Sequence, residues 1–171
     1  MAQYVYHRVP DNIKGTVLYP LNVLKNIHPE AYASHAKKYK DREWLLQRRI
    51  DVLDCLWNDV LHCTPINPTK IYPMLRKIGF GYPPERFYQI VCSDWRSDQC
   101  ALMEYSIDGI ERIYNTGLPR YFHGFDTLPD ATLAYYRKCH ADKIHPMIFA
   151  CTPHILFKGS INVSAAPIIE A

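Results

Sequence analysis

The chain of 171 residues is long enough for one globular domain with a buried core and too short for two of ordinary size. Its 48% hydrophobic and 22% charged residues are typical of a folded protein, which excludes an intrinsically disordered chain. The net charge of +3 is too small for the concentrated basic face of a nucleic-acid-binding protein, so no nucleic-acid partner is favoured.

The location of the protein in the cell is predicted from the hydrophobicity of the opening segment and from the cysteine content. The opening segment lacks the long apolar stretch of a secretory signal, and no run approaches the roughly 20 apolar residues that span a bilayer. These features predict a protein with no membrane partner. The six cysteines are then expected to be reduced thiols in a cytoplasmic setting.

The first 40 residues predict a strand followed by two helices. Residues 3–9 alternate in a way that places Val5, His7 and Val9 on one face of a strand. A short strand at 16–19 precedes Pro20, which suits the first turn of a helix. A second helix is expected to begin at Pro29.

Residues 42–62 form the clearest predicted helix, because apolar residues recur there at spacings of four, three, four and three. These residues are Leu46, Ile50, Leu53, Trp57 and Val60. The pattern predicts a helix that is buried on one face and serves as the central scaffold.

A third helix is expected between Asn67 and Gly79, two residues that suit the start and the end of a helix. Pro73 falls inside it and removes a backbone donor, which predicts a kink or a break into two pieces.

The second half is expected to be rich in strands, with one further helix from Thr127 to about residue 141. A hairpin turn is predicted at 106–109 and a bulge at Gly159. The predicted strands are 87–92, 100–106, 110–114, 147–151, 154–158, 160–163 and 167–170. The expected fold class is α+β, with a mostly antiparallel sheet built from both chain ends and packed on the central helical segment in a single domain.

Two candidate chemistries rest on cysteine. Cys139, His140, His145, Cys151 and His154 are ligand types that zinc prefers, but their spacing is poor and a buried cysteine is usually a small apolar residue. No metal is therefore favoured. The second candidate is a cysteine nucleophile, because Cys63 follows His62. Neighbours on a helix, however, point in different directions and do not form a catalytic dyad by adjacency.

A third constellation combines residues from both chain ends in one sheet. An imidazole from His7, a guanidinium from Arg8, an acid from Glu104, an aromatic ring from Tyr105 and a second imidazole from His154 would meet in a cleft. Such groups could hold ribose and pyrophosphate, stack on a base and stabilise a developing positive charge. The alternative for each is structural: His7 as a core residue, Arg8 paired with an acid across the sheet, and Glu104 on an exposed edge.

The Tyr-His-Arg strand, the helices after it and the short strands at the end resemble the layout of ADP-ribosyltransferase-like proteins, whose split sheet holds NAD. The resemblance implies that His7 or Arg8 grips NAD, that Tyr19 or Tyr105 stacks on it, and that Glu104 or the acid at position 170 is catalytic. The chain carries no Glu-x-Glu pair, the feature of the arginine-modifying members.

A second resemblance rests on the segments YHRVP, LYPLN, LWNDVL and PHILFKGSI, which stand at 6–10, 18–22, 56–61 and 153–161. They are similar to segments of small bacterial proteins of unassigned role, which imply no activity.

The leading hypothesis is a nucleotide-binding protein, with ADP-ribosyl transfer from NAD as its reaction. His7 and Glu104 are the candidate catalytic residues, and the candidate ligand-binding residues are Arg8, Tyr19, Tyr105 and His154. The alternative is a non-enzymatic interaction domain, such as a bacterial effector or a toxin–antitoxin partner. Its feature is an exposed rim of aromatic residues at Trp44, Trp57 and Trp95, because aromatic residues are enriched in protein interfaces.

Overall fold

A computed structural model describes residues 3–105, 111–115 and 127–171. Its class is α+β with antiparallel sheets, as the sequence predicts. The strands are β1 (Tyr4–Arg8), β2 (Val17–Leu18), β3 (Arg49–Ile50), β4 (Cys55–Leu56), β5 (Val60–Cys63), β6 (Arg86–Val91), β7 (Cys100–Tyr105), β8 (Glu111–Tyr114), β9 (His154–Lys158), β10 (Ile161–Asn162) and β11 (Ile168–Glu170). The helices are α1 (Leu21–Ile27), α2 (Pro29–Ala36), α3 (Pro68–Ile78) and α4 (Asp130–Ala141), together with short 3-10 helices at Lys37–Tyr39, Glu43–Gln47, Asp51–Leu53, Trp57–Asp59 and Ser97–Gln99.

One sheet joins the two ends of the chain, which confirms the expected assembly. Strand β6 lies in the middle of this three-stranded sheet, with β1 on one side and β11 on the other. Tyr4 pairs with Val91 in the first ladder and Ile168 pairs with Tyr88 in the second. The backbone of Ala171 exchanges hydrogen bonds of 3.1 and 3.0 Å with Glu85, which continues the second ladder.

A second sheet has the order β5-β9-β7-β8 and also has antiparallel neighbours. The backbones of Tyr6 and Thr64 exchange two hydrogen bonds, of 2.8 and 2.9 Å, and so connect β1 of the first sheet to the end of β5. This bridge fixes the position of the first strand relative to the second sheet. The predicted turn at 106–109 lies outside the described residues.

The predicted helix at 42–62 is wrong. This segment consists of three 3-10 helices and the strands β3, β4 and β5. Asp54 adopts a left-handed backbone with φ of 45°, which ends the local helical turn. Strand β5 then obtains its backbone partners from β9, so the apolar residues of the segment reach the core from a sheet. Ile50, Leu53 and Val60 pack there with residues of β7 and β9.

Helix α3 begins and ends where the sequence predicts. The side chain of Asn67 accepts a hydrogen bond of 3.0 Å from the backbone N–H of Thr69. Gly79 ends the helix with φ of 115°, a conformation that favours glycine. The expected break at Pro73 is wrong, because one helix continues through this residue. Proline there removes the single donor that would bond the carbonyl of Thr69.

Helix α4 is confirmed, but the strand expected at 147–151 is wrong, because the segment forms turns. The reason lies in the side chains of α4, which bind the carbonyl groups of this segment. The Tyr136 hydroxyl donates to the carbonyl of Ile148, and the Thr132 hydroxyl donates to that of Cys151 at 3.0 Å. Cys151 also has a positive φ of 58°, outside the range of strands.

The core beneath α3 and α4 is aromatic, and we call it the tyrosine core. It includes the fully buried Tyr72 and Tyr136, with Tyr82 and Phe87 against them. Tyr72 donates to the carboxylate of Glu85 at 2.6 Å, and Tyr82 donates to the carbonyl of Pro146 at 2.9 Å. Within the described residues, the helices are all too short or too polar to cross a membrane.

Candidate functional site

A cavity of about 580 Å³ lies between β1, the end of β5 and the helices α1 and α2. We call it the histidine cavity. Its volume is within the range of about 300–1,000 Å³ that is usual for small-molecule sites. Its polar and aromatic lining side chains include Tyr6, His7, Arg8, Asp11, Asn12, Lys14, Tyr19, His28, Ser34, His35, Lys38, Tyr39, Asn58, His62, Thr64, Phe87, Phe149 and His154.

Four of the six residues predicted for the site line this cavity: His7, Arg8, Tyr19 and His154. The bridge between Tyr6 and Thr64 explains how the first strand reaches the second sheet. His7 follows that bridge on β1, while His154 begins β9, the neighbour of β5. The predicted meeting of His7 and His154 around one hollow is therefore present, but the expected single sheet is wrong, because His7 lies in the first sheet and His154 in the second.

The structure does not bring Glu104 to the cavity. Glu104 is exposed on β7, and its Cα pairs with that of Arg112 on β8. His154 pairs with Met103, so these two side chains lie on the same face of the sheet. Glu104 follows Met103 along β7 and therefore lies on the opposite face. A catalytic pair of His7 and Glu104 is not formed in this fold. Tyr105 ends β7, and its side chain lies outside the described part of the chain.

The acid at position 170 also lies away from the cavity. Glu170 is exposed on β11, and its Cα pairs with that of Arg86. Neither glutamate that the resemblance offers as a catalytic acid therefore contributes to the cavity wall.

The cavity histidines are held by backbone carbonyl groups. His7 Nδ1 is 2.7 Å from the carbonyl oxygen of Arg8, and His154 Nδ1 is 2.9 Å from that of Thr152. Because a carbonyl only accepts, these nitrogens carry the proton and donate it. In the neutral imidazole, Nε2 of each ring is then left with a lone pair that can accept a hydrogen bond.

A third imidazole, His62, lies on the same face of the second sheet as His154, because His62 pairs with Leu156 two residues along β9. The Nε2 atom of His62 is 3.4 Å from the carbonyl oxygen of Trp57. The centroids of the His62 and Trp57 rings are 4.4 Å apart. The cavity therefore collects imidazoles from β1, β5 and β9.

Burial keeps these imidazoles neutral at physiological pH. Desolvation lowers the pKa of His7 to about 4, with smaller contributions from Lys38 and His35. Desolvation likewise lowers the pKa of His62 to about 3, followed by repulsion from His154 and Lys38. The pKa of His154 is also lowered by burial. Three neutral rings with free lone pairs form a site that accepts hydrogen bonds from a ligand.

The charges around the cavity are mostly basic. Among the described lining residues, the cations are Arg8, Lys14 and Lys38, and Asp11 is the single acid. The imidazoles of His7, His62 and His154 add no charge, because they are neutral. Arg8 is 3.1 Å from Glu85, which confirms that it pairs with an acid near the sheet, and Lys14 is 3.5 Å from Glu30.

Lys38 differs from these two cations, because no carboxylate of the described residues lies within ion-pair distance of it. Its ammonium group lies 5.1 Å from the centre of the Tyr39 ring. Partial desolvation, followed by repulsion from Arg42, lowers the pKa of Lys38. The side chain is exposed while also lining the cavity, so its charge is available to an anion that enters from solvent.

Asn58 is the most unusual polar residue of the cavity wall. It is 2% exposed, and neither its side-chain oxygen nor its side-chain nitrogen has a hydrogen-bond partner among the described residues. A buried polar atom without a partner costs about 1–3 kcal/mol, and such atoms are rare in native proteins. The neighbouring Asp59 binds the backbone N–H of Leu56 at 2.8 Å and the amide of Asn22 at 2.7 Å. The segment that presents Asn58 is therefore held in place.

Most of the cavity residues were not predicted from the sequence, among them Asp11, Lys38, Asn58 and His62. His62 would have followed from a strand at 60–63, where alternation places it with Val60 on one face. The basic run at 37–40, which includes Lys38, is typical of a solvated helix face and so gives no signal for a site. No local pattern marks Asn58, whose lack of partners exists only in the folded chain.

The described residues do not have the geometry that a metal site or a cysteine nucleophile would need. Among the described residues, no group of three or more His, Cys, Asp or Glu side chains is arranged to hold a metal. Burial, together with the neighbouring Cys92 and Cys100, raises the pKa of Cys63 far above its usual range, which makes the thiol a poor nucleophile.

The predicted aromatic rim is not formed. Trp44 is 65% exposed, but Trp57 stacks against His62 and Trp95 lies 4.3 Å from Phe157 between ring centroids.

Comparison with known proteins gives no match to a family model, a curated protein or a solved structure. The two resemblances noted in the sequence stay predictions. Each of the four segments of the second resemblance does, however, contribute to the cavity wall, through His7, Tyr19, Asn58 and His154 respectively.

Proposed function

We propose that the histidine cavity binds a phosphate-bearing ligand of nucleotide size, with NAD as the first candidate. One observation carries the proposal: a cavity of about 580 Å³ is lined by three cations, Arg8, Lys14 and Lys38, with a single acid among its described lining residues. A wall of this charge favours an anion over a cation or an apolar molecule.

The cavity offers two kinds of polar contact to such a ligand. Lys38 is a cation without a described carboxylate partner and suits a phosphate group. His7, His62 and His154 are neutral acceptors and suit hydroxyl groups such as those of a ribose. Tyr19 adds an aromatic ring on which a base can stack. A phosphorylated ribose with a base attached uses both kinds of contact.

ADP-ribosyl transfer from NAD is the reaction that we propose for this site. It breaks the bond between the ribose C1′ and the nicotinamide nitrogen and joins C1′ to an acceptor nucleophile. His7 would hold the ribose hydroxyl groups, while Asp11, the lining carboxylate, would take the proton that the acceptor nucleophile loses, the role expected for Glu104. Release of nicotinamide from NAD measures this step separately from binding.

Calorimetric titration with NAD, AMP and adenosine tests the binding proposal, using the wild-type protein and two lysine variants. In Lys38→Met the phosphate-bearing ligands should bind on the order of tenfold more weakly, while adenosine binding should change little. Lys40→Met is the matched control, because Lys40 is exposed on the same segment and does not line the cavity. The difference between AMP and adenosine should also shrink as salt concentration rises.

The absence of heat and of a thermal shift with NAD and AMP at millimolar concentration would reject the proposal. The protein-interaction alternative would gain support if a partner were retained when His7 and Lys38 are both replaced by alanine. It rests on Trp44, the one exposed tryptophan, since Trp57 and Trp95 pack against other rings of the chain.

A further inference from the structure

We infer that Asn58 recognises the part of the ligand that presents a hydrogen-bond donor and an acceptor side by side, such as an adenine edge or a carboxamide. This inference rests on the proposed function and adds the chemical group that the cavity selects. It comes from a single residue whose environment is unlike that of the other buried polar residues.

Asn58 has the two properties of a recognition residue. Its amide is 2% exposed and has no partner on either atom among the described residues, so it has hydrogen-bonding capacity that the free protein does not use. It also contributes to the wall of the histidine cavity. The other buried polar residues differ, since Thr64 accepts from the backbone of Ile66 and Thr132 donates to that of Cys151.

The chemistry of the amide defines the group that fits. An asparagine side chain offers one acceptor oxygen and two donor hydrogens on adjacent atoms. It pairs through two parallel hydrogen bonds with the N6 and N7 atoms of adenine, and equally with a carboxamide. A phosphate, which only accepts, would leave the asparagine oxygen without a partner. Asn58 therefore suits the base or amide part of the ligand, and Lys38 suits its phosphate.

The position of Asn58 is fixed before any ligand arrives. Asp59 ties the segment to the backbone of Leu56 and to the side chain of Asn22 on α1. On the other side of Asn58, the ring of Trp57 packs against the ring of His62. The centre of the Trp57 ring also lies 4.4 Å from the guanidinium carbon of Arg48. Neighbours held on both sides reduce the ordering that binding requires, which increases selectivity for the right partner.

Replacement of Asn58 by leucine, which has the same number of heavy atoms, tests the inference. Wild type, Asn58→Leu and the control Asn26→Leu are titrated with AMP, nicotinamide mononucleotide and ribose 5-phosphate. Asn26 is exposed on α1 and does not line the cavity. Asn58→Leu should lose on the order of tenfold or more in affinity for the ligand with the matching edge. Its affinity for ribose 5-phosphate should stay the same, and the control should match wild type.

The ligand affected identifies the source of the group. A loss confined to AMP assigns the adenine edge, and a loss confined to nicotinamide mononucleotide assigns the carboxamide. The melting temperature without ligand provides the second measurement. It should be unchanged or higher in Asn58→Leu, because an amide that binds nothing in the free protein contributes nothing to the fold.

Two results would overturn the inference while leaving the proposed function in place. One is equal affinity of wild type and Asn58→Leu for both nucleotides. The other is a melting temperature several degrees lower in Asn58→Leu, which would show that the amide is satisfied in the free protein. If wild type binds none of the three ligands, the proposed function itself fails. Asn58→Ala replaces the leucine variant if the latter does not fold.

Discussion

The tyrosine core and the histidine cavity both contain buried rings with polar atoms, but they satisfy those atoms in different ways. In the tyrosine core, the hydroxyl groups of Tyr72, Tyr82 and Tyr136 all donate to protein acceptors. In the cavity, Asn58 has no partner among the described residues, and the imidazoles are held by one nitrogen each. Residue type alone does not separate a core from a binding site. The state of the hydrogen-bonding groups does.

The largest expected difference between the two regions is in stability. Tyr136 is fully buried, so Tyr136→Ala should lower the free energy of unfolding by about 3–5 kcal/mol. Tyr19 lines open space, and Tyr19→Ala should cost about 1 kcal/mol or less. Urea denaturation measures both. Tyr136→Phe serves as the control and should cost about 1 kcal/mol, because it leaves the partly buried carbonyl of Ile148 without its donor. Equal losses at positions 19 and 136 would contradict the distinction.

A smaller effect is expected from acid, and it should come from the cavity. The folded pKa of His7 is about 4 and that of His62 about 3, both below the ordinary value of 6.5. Below pH 6.5 the unfolded chain therefore binds protons that the folded chain does not, and stability falls as the pH is lowered. Each of these histidines should contribute up to about 1.4 kcal/mol per pH unit until its folded pKa is reached.

The variant His62→Gln separates this contribution from the rest of the chain. Urea denaturation at pH 7.5, 6.5 and 5.5 should show a smaller loss of stability on acidification than in wild type. An identical dependence on pH in the two proteins would mean that His62 is accessible to protons in the folded state. A bound anion should oppose the effect, because it favours the protonated imidazole.

The smallest effect on stability is expected at Arg8, which connects the two regions. Its guanidinium lies 3.1 Å from Glu85, the carboxylate that also accepts from Tyr72 of the tyrosine core. The Arg8 side chain is 54% exposed, so Arg8→Ala should cost less than about 1 kcal/mol. Glu85→Ala should cost more, because the buried Tyr72 hydroxyl then loses its acceptor. If the two variants prove equally destabilising, the Arg8 pair is stronger than its exposure implies.

The parts of the fold that the sequence predicts correctly are those with strong local signals. Asn67 and Gly79 mark the ends of α3 through their own backbone and side-chain chemistry. The alternating residues of β1 and the apolar run of β9 are also located correctly. In each of these elements, local preference and final structure agree.

The failures have non-local causes. The residues of 42–62 repeat with helical spacing, but the pairing of β5 with β9 and the left-handed turn at Asp54 override that preference. The segment at 147–151 has an apolar pattern suited to a strand, yet Tyr136 and Thr132 capture its carbonyl groups from α4. Neither partner is visible in a local window of the sequence.

The same reasoning applies to the site. His7 and His154 were placed together because both chain ends were expected in one sheet. Glu104 was expected with them because its strand was assigned to the same sheet, but the alternation of β7 turns Glu104 to the other face. Asn58 and Lys38 are recognised only from three-dimensional quantities: missing partners for the first, and proximity to the cavity for the second.

The position of β6 between β1 and β11 also has a consequence for how the chain folds. Tyr4 pairs with Val91, and Ile168 pairs with Tyr88, so both ladders join residues that are far apart in the sequence. Ladders of this kind close slowly, on a scale of about milliseconds to seconds, because long loops must be ordered first. During synthesis, the sheet cannot be completed until the segment near residue 170 has left the ribosome. His7 is made well before His154, so the wall of the histidine cavity cannot be complete until β9 has been made.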